Sequence, residues 1–181
     1  STLIHRDPRA ADAMLAKLSD LLREVLRHRD RTRVTLEDEL RYAQSFLEIA
    51  QLRFGDRLTF TVDVPDELRS ASVPLFILQP LVENALKHGV GAVIRGGHVS
   101  IQARRVGDRL QLAVADDGPG FGSSPPLERV GLTNTRERLR AAFPGDHALQ
   151  LTARRDGAGA LVRIDIPFRQ DTRRDEPPEL P

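Results

Sequence analysis

Three short stretches of the sequence carry polar residues whose types and spacing could do chemistry. "LVENALKHG", residues 81–89, places an acid, an amide, an ammonium and an imidazole beside apolar residues. "DDGPG", residues 116–120, follows an alternating apolar segment, and "GLTN", residues 131–134, opens an amphipathic one. Each pattern alone is weak, because Asp, Gly and Pro dominate ordinary turns and polar helix faces are usually solvated. Together and in this order they predict a single site.

The chemistry of these residues suits a nucleotide and a metal ion. Asp116, at the end of a predicted strand, could accept a hydrogen bond from an exocyclic amine, which would favour adenine over guanine. Gly118 and Gly120 have no side chain to block a base from the backbone. Asn84 offers a neutral oxygen to a hard cation such as Mg²⁺. Lys87 supplies a point charge for phosphate oxygens.

The third stretch and the loop before it complete this predicted site. A helix that begins at "GLTN" would present free N–H groups and the positive end of its dipole to the phosphates. The preceding segment "DDGPGFGSSPPLERVG", residues 116–131, is long and rich in Gly and Pro. Loops of this kind inside a compact domain are usually functional or disordered, and we expect this one to close over the nucleotide as a lid.

Two helices are predicted upstream of these motifs. Residues 8–28 repeat apolar residues at three- and four-residue spacing, and Leu18, Leu22 and Val25 form a seam that requires a partner helix. "TLED", residues 35–38, is a capping box that opens a second helix to about Arg53, after a polar connection. The pattern therefore indicates a helical hairpin whose first helix could also drive self-association.

The remaining elements alternate between strands and helices. The motif helix is expected to enter around Pro74 and to kink or restart at Pro80, which has no N–H to donate. Another helix is predicted at residues 130–143. Period-two alternation predicts a strand in the segment 58–64, a hairpin with a turn at Gly107-Asp108 in the segment 98–114, and a second hairpin in the segment 149–166.

This order predicts an α+β fold: a two-layer α/β sandwich with a mixed, mostly antiparallel sheet and helices on one face, preceded by the helical hairpin. We expect three regions. Residues 1–54 form the hairpin, residues 55–168 the nucleotide-binding domain, and residues 169–181 a disordered tail without apolar periodicity.

Composition excludes several classes of function. The chain has no Cys, which excludes disulfides and Cys-based metal sites. Its net charge is +1, its arginines are scattered among acids and its aromatic residues are few, so we expect no nucleic-acid partner. No apolar run reaches the roughly 18 residues that a membrane span needs. We therefore expect a cytoplasmic chain without direct membrane contact, which could be the cytoplasmic part of a membrane-anchored sensor.

The three stretches resemble the motifs of a known superfamily of ATP-binding domains, that of gyrase, the heat-shock chaperones, histidine kinases and mismatch-repair proteins. "ENALKHG" is similar to its N box, "DDGPG" to its D-x-G-x-G box and "VGL" to the end of its second glycine box, over roughly residues 57–168. The hairpin and "VPLFILQPLVENALKHG" resemble more specifically the LytS-type sensor histidine kinases.

This resemblance implies roles for individual residues. It implies that Asn84 binds Mg²⁺, that Lys87 binds phosphate and that Asp116 binds the adenine amine of ATP. Glu83 is the candidate for a catalytic role. The remaining candidates would line the ATP site or shape its lid: His88, Gly118, Gly120, Gly131, Leu132, Asn134 and Arg136.

The resemblance also implies an activity and partners. A LytS-type kinase would transfer the γ-phosphate of ATP to its own His and thence to a response regulator, as a homodimer joined by its N-terminal helices. The family's acceptor box is absent from this sequence, so we expect the acceptor upstream, and His5 is not interpreted as that residue. Three other histidines are expected on the surface: His28, His98 and His147.

Two alternatives remain open at this stage. A non-catalytic nucleotide-binding regulatory module is favoured by Arg129, which replaces the first Gly of the second glycine box. An ATP hydrolase of the same fold is less favoured. Its relatives place a base Glu four residues before the Mg²⁺-binding Asn, and here that position is Pro80.

Overall fold

The structure is a computed structural model that describes residues 8–28, 31–89, 96–120, 130–154 and 159–170. Its helices are α1 (Pro8–Arg27), α2 (Leu36–Phe54), α3 (Gln79–Asn84) and α4 (Val130–Ala142). Its strands are β1 (Arg33–Thr35), β2 (Leu58–Asp63), β3 (Ser72–Pro74), β4 (Gly97–Val106), β5 (Arg109–Asp116), β6 (Ala148–Ala153) and β7 (Ala160–Pro167). None of the helices in these ranges is both long and apolar enough to cross a membrane.

The capping box predicted at the start of α2 is confirmed. Asp38 N–H donates to Thr35 Oγ1 at 3.1 Å, and Thr35 N–H donates back to the Asp38 carboxylate at 3.2 Å. Two of the N–H groups that a helix start leaves unpaired are thereby satisfied. An ion pair between Lys17 and Glu48 then ties α1 to α2, so the two helices form the expected hairpin.

The larger sheet has five strands in the order β2-β4-β5-β7-β6. Only the β2–β4 pair is parallel among these neighbours, and the other pairs are antiparallel. β5 shows why the strands form, because its buried residues Leu110, Leu112 and Val114 alternate with more exposed ones. These residues belong to the same buried cluster as Leu81 of α3 and Leu139 of α4. The predicted mixed, mostly antiparallel α+β sandwich is confirmed.

The expected start of the motif helix at Pro74 is wrong. Pro74 ends β3, which pairs antiparallel with β1 in a separate two-stranded sheet, and Arg33 lies opposite Pro74. Strands of three residues are too short to show alternation in a sequence. The helix instead begins at Gln79, and Pro80 lies in its first turn, where a missing N–H costs no hydrogen bond.

The segment expected to be a disordered tail begins with two paired residues. Ser72 N–H donates to the carbonyl oxygen of Arg169 at 2.7 Å, and Gln170 forms an isolated bridge with Ala71. Residues 169 and 170 therefore pair with the chain at the beginning of β3. Residues 171–181 lie outside the described part of the chain.

Candidate functional site

Asp116 is the last residue of β5, where the strand leaves the sheet. Its side chain is only 5% exposed, and Gly118 N–H donates to its Oδ1 at 3.0 Å. This short-range bond orients the carboxylate at the beginning of the Gly-rich segment. A buried, oriented carboxylate at a strand end is what recognition of an amine on a bound base requires.

Glycine residues allow the backbone to approach Asp116 closely. A Cβ added to Gly89 would lie 2.7 Å from Cβ, Cγ and Oδ1 of Asp116, and a Cβ added to Gly118 would overlap the Cα of Gly89. Gly159, in the turn before β7, would overlap the Asp116 carbonyl in the same way. Gly120 has φ +70°, and a Cβ added to it would lie 3.1 Å from the carbonyl oxygen of Gly159. A larger residue at Gly89, Gly118 or Gly159 would clash with these neighbours, whereas at Gly120 the neighbour would have to shift only slightly.

Gly89 and Gly159 were not among the candidate residues. Gly89 lay inside the stretch "LVENALKHG", and its position as the last residue of that motif was a usable signal. Gly159 carried no signal in the sequence, because its contact with Asp116 arises only when β7 pairs with β5.

Asn84 ends α3, and the chain continues as a wide π-helical turn from Ala85 to Gly89. The Asn84 side chain is only 9% exposed, and its amide Nδ2 is the one buried side-chain N or O without a hydrogen-bond partner in the described ranges. Buried polar atoms are nearly always paired. Rotating this amide would bring its carbonyl oxygen to the same unpaired position, where a hard cation could use it.

Glu83 and Lys87 lie on a different side of this helical segment. Both are exposed and line a cleft of about 700 Å³ together with Phe46 and Arg53 of α2 and Met14 of α1. The structure therefore places Lys87 towards the helical hairpin, whereas Gly89 at the end of the same turn contacts Asp116. The polar residues predicted to share one helix face are therefore separated: Glu83 and Lys87 are exposed in the cleft, and Asn84 is buried.

Glu83 also forms a hydrogen bond within its own helix. Gln79 Nε2 donates to Glu83 Oε1 at 2.8 Å, one turn earlier on α3. The side chain of His88 lies outside the described part.

The candidates on α4 differ in burial. Leu132 is buried, Arg136 is half-buried and Asn134 is exposed, while Gly131 lies in the first turn of the helix. Thr135 is fully buried, and it was not among the candidate residues. Residues 121–129 of the predicted lid, which include Arg129, lie outside the described residues.

Acidic residues and histidines do not converge into a metal site in the described part of the chain. No group of three or more His, Cys, Asp or Glu side chains there could hold a metal ion. Mg²⁺ usually keeps several waters and binds through few protein oxygens plus substrate phosphates. The Asn84 side chain, whose Nδ2 is unpaired, could provide one such protein oxygen after rotation of its amide. The described residues offer no site in which protein side chains alone would surround the metal.

Glu39 is a further buried polar residue, and it was not among the candidate residues. It is 1% exposed, and burial raises the pKa of its carboxyl from 4.5 to about 7, against the lowering effect of backbone N–H donors. Glu39 lies three residues after Leu36 and four before Ala43, on the apolar face of α2, and this spacing could have indicated that the acid is buried.

Comparison with known proteins identifies relatives of the chain. A histidine kinase family model matches residues 1–58. The sensor histidine kinase BtsS of Escherichia coli strain K12 is 32% identical over 169 residues, which are 93% of this chain and 30% of that protein. The sensor protein LytS of Oceanobacillus iheyensis is 29% identical over 182 residues, covering 93% of this chain and 31% of that protein. The chain thus spans less than a third of the length of these relatives.

Solved structures share the fold. The histidine kinase domain of a blue-light activated histidine kinase from Erythrobacter litoralis EL346 has a TM-score of 0.61 at 19% identity, over 93% of this chain and 80% of that one. The histidine kinase ThkA, solved in complex with the response regulator protein TrrA, has a TM-score of 0.56 at 18% identity, over 86% of this chain and 48% of that one.

The family model covers the helical hairpin, the named relatives cover nearly the whole chain, and the solved domains share the sandwich that holds Asn84 and Asp116. This chain belongs to the sensor histidine kinases, and LytS-type sensors are among its relatives.

Proposed function

We propose that this chain is the ATP-binding catalytic core of a two-component sensor histidine kinase. Asp116 would accept a hydrogen bond from the adenine amine, and Asn84 would give its amide oxygen to Mg²⁺. The observation that carries this proposal is the enclosure of the Asp116 side chain, which Gly89 approaches too closely for any Cβ and to which Gly118 N–H donates a hydrogen bond. The unpaired amide of Asn84, on the same helical segment as Gly89, adds a second, independent support.

The position of Lys87 indicates where the phosphates of a bound nucleotide would lie. Lys87 is exposed in the cleft between its helical segment and the hairpin, together with Arg53 of α2. Both side chains could neutralise phosphate oxygens. We therefore expect the phosphates to extend from the Asp116 pocket towards this cleft, so that the γ-phosphate faces the helical region.

Phosphoryl transfer depends mostly on positioning and electrostatic stabilisation. We propose that the complete protein transfers the γ-phosphate to a His upstream of residue 1 and then to a response regulator. Glu83, beside Lys87 in the cleft, is the candidate to contact the acceptor. We also propose that the complete protein is a homodimer held by its N-terminal helices.

Calorimetry with Mg-ATP and Mg-GTP tests the nucleotide site. The parent chain should bind ATP more tightly than GTP. Asp116→Asn replaces one acceptor oxygen by a donor, and it should weaken ATP binding by about tenfold or more, as expected for a buried group left unpaired.

The neighbouring Asp117 offers a matched control. Its Oδ1 accepts a hydrogen bond from His98 N–H at 2.6 Å, so Asp117→Asn changes the charge by the same amount at a different contact. This variant should bind ATP nearly as the parent does. Equal affinities of the parent and Asp116→Asn for ATP would contradict the assignment of Asp116, and absence of adenine-nucleotide binding by the parent would contradict the proposed function.

A further inference from the structure

Glu39 is a buried acid on the helical hairpin, far along the chain from the candidate ATP site. It lies in α2, on the face that also buries Leu36, Leu40 and Ala43, and only 1% of it is exposed. Burying a carboxylate in apolar surroundings is costly unless its oxygens find hydrogen-bond donors. Glu39 therefore requires hydrogen-bond donors from neighbouring segments.

Both oxygens of Glu39 accept hydrogen bonds from the loop that leads into α3. Phe76 N–H donates to Oε1 at 2.5 Å, and Leu78 N–H donates to Oε2 at 2.9 Å. Leu78 immediately precedes α3, and its own side chain supplies no cap. Glu39 thus accepts a hydrogen bond from the N-cap N–H of α3, as the third helical residue does in a capping box, although Glu39 lies 39 positions earlier in sequence.

The loop before α3 is also held from its other side. Arg138 of α4 donates from Nη1 to the carbonyl oxygen of Leu75 at 2.5 Å, and its guanidinium lies 5.6 Å from the centre of the Phe76 ring. Phe76 has φ +57°, a left-handed conformation that a bulky residue adopts only when its surroundings enforce it. Glu39 and Arg138 are the two polar side chains that these contacts place against it.

α3 is too short to hold its own position. It has six residues, and isolated helices of this length are unstable in water. Its last residue is Asn84, whose buried amide is the proposed Mg²⁺ ligand. The orientation of Asn84 therefore depends on how the start of α3 is anchored.

We propose that Glu39 is a positioning residue that fixes α3, and with it Asn84, relative to the helical hairpin. The role assigned to Asn84 rests on the proposed ATP-binding function, whereas the anchoring of α3 by Glu39 does not. A displacement of α2 would move the two acceptor oxygens and so displace the start of α3. The hairpin and the nucleotide site are coupled through one buried carboxylate.

Glu39→Gln tests this coupling. Gln keeps one acceptor oxygen and turns an NH₂ group towards the other backbone N–H, so one of the two bonds is lost. In the nucleotide-free protein, amide hydrogen exchange in residues 79–89 should become about tenfold faster, while exchange in β5 and β7 stays near the parent rate. With nucleotide present, the gain in ATP affinity on adding Mg²⁺ should shrink several-fold, since Asn84 is no longer held in place.

Glu37→Gln is the matched control. Glu37 lies on the same helix, and its Oε2 accepts from Arg69 Nη1 at 2.6 Å on the more exposed side. This variant should leave both the exchange of residues 79–89 and the effect of Mg²⁺ unchanged. If Glu39→Gln does not fold, Arg138→Gln loosens the same loop from its exposed side and carries the same comparison.

Each outcome decides between a positioning role and a merely structural one. Equal acceleration of exchange in α3 and in the sheet would overturn the proposal, because it would report general destabilisation. Unchanged exchange in residues 79–89 would overturn it as well. If the parent fails to bind Mg-ATP, the proposed function fails, and the exchange of the nucleotide-free protein still decides whether Glu39 anchors α3.

Discussion

Gly89 and Asp116 lie in direct contact, although they belong to different motifs. An added Cβ on Gly89 would lie 2.7 Å from three atoms of the Asp116 side chain, closer than real Cβ atoms approach their neighbours. The end of the π-helical turn therefore forms one wall around the carboxylate. This contact joins the helix motif to the strand-end motif and makes Gly89 as important to the pocket as the glycines of the "DDGPG" stretch.

Gly89→Ala should weaken ATP binding by about tenfold or more, because the new methyl group displaces the Asp116 carboxylate by a few tenths of an ångström or more. Calorimetry of the variant checks this. Gly55→Ala is the control, since Gly55 has φ +60° and open space around it, so that its substitution strains the backbone without contacting the site. An affinity of Gly89→Ala equal to that of the parent would show that Asp116 tolerates displacement.

Asn84→Ala should flatten the dependence of ATP affinity on Mg²⁺. The substitution removes the amide that is buried without a partner, and with it the proposed oxygen ligand. Titrations with ATP in the presence and absence of Mg²⁺ measure the effect as a ratio of affinities. Asp116→Asn provides the contrast, because it should lower both affinities and keep their ratio. A ratio in Asn84→Ala equal to that of the parent would assign the metal to other ligands.

The sequence was sufficient for the features that depend on local patterns. The capping box at Thr35, the hairpin turn at Gly107 between β4 and β5, and the alternation of β5 all have strong local signatures, and the structure confirms them. Motif order was enough to predict that Asp116 and the end of the motif helix form one site. Gly89 and Asp116 are in contact as this requires.

Features that depend on contacts between distant segments could not be predicted. The pairing of β1 with β3 joins two three-residue strands that carry no periodic signal. Glu39 looked like an acid on an otherwise apolar stripe, and its partners Phe76 and Leu78 are known only once α2 packs beside the loop. The division between Asn84 and Lys87 depends on the π-helical turn, which shifts the helical phase in a way that a period of 3.6 residues does not describe.

Protonation of Glu39 should make stability depend on pH. The folded protein keeps this proton up to about pH 7, whereas the ordinary pKa is 4.5. Between these values the folded state binds more protons, so the contribution of Glu39 to the free energy of unfolding decreases as pH rises. Arg138 is the charged neighbour that opposes this shift. The decrease is at most about 3–4 kcal/mol, since the pKa rises from 4.5 to about 7 and one pKa unit corresponds to ~1.4 kcal/mol.

Denaturant unfolding of the parent and Glu39→Gln at pH 5 and pH 8 measures this effect. The stability of the parent relative to the variant should fall from the lower to the higher pH. Glu37→Gln should retain the pH dependence of the parent. A constant difference between parent and Glu39→Gln across this range would show that Glu39 titrates equally in the folded and unfolded states.

The exposed stripe of α1 should drive self-association. Leu15, Leu18, Leu22 and Leu26 are each more than half exposed, while Leu21 packs against the core. Complete burial of one Leu side chain contributes about 1.5–3 kcal/mol, so a second copy of the stripe is a favourable partner. The side chain of Val25, the third residue of the predicted seam, lies outside the described part.

Sedimentation at increasing concentration should therefore show a dimer, and Leu18→Glu with Leu22→Glu should shift it to monomer. Asp20→Lys, a charge change of similar size at an exposed position of the same helix, serves as the control and should leave the dimer intact. A strictly monomeric parent at high concentration would mean that the stripe serves only the packing of α1 within one chain.

The chain should bind Mg-ATP and yet label itself negligibly with γ-phosphate. Transfer requires nucleotide, metal and acceptor to be held in line, and the proposed site has candidate residues for the first two among the described residues. Three histidines, His28, His98 and His147, have described side chains, and each is half-buried with a ring nitrogen within hydrogen-bond distance of a neighbouring group. Tyr42 Oη lies 2.6 Å from His28 Nδ1, the two ring nitrogens of His98 lie 2.9 and 3.1 Å from Thr59 and Thr61 Oγ1, and His147 Nδ1 lies 2.7 Å from the carbonyl oxygen of Phe143.

A chain extended upstream by one helix should become labelled, and loss of the label in acid would identify phosphohistidine rather than phosphoserine. Hydrolysis of ATP should stay slow in both chains, because Pro80 occupies the position, four residues before Asn84, where a hydrolase of this fold keeps its general base. Autophosphorylation with γ-labelled ATP compares the two chains directly. Acid-labile label on the present chain that disappears in His5→Ala would place the acceptor at His5 and contradict the expectation of an upstream His.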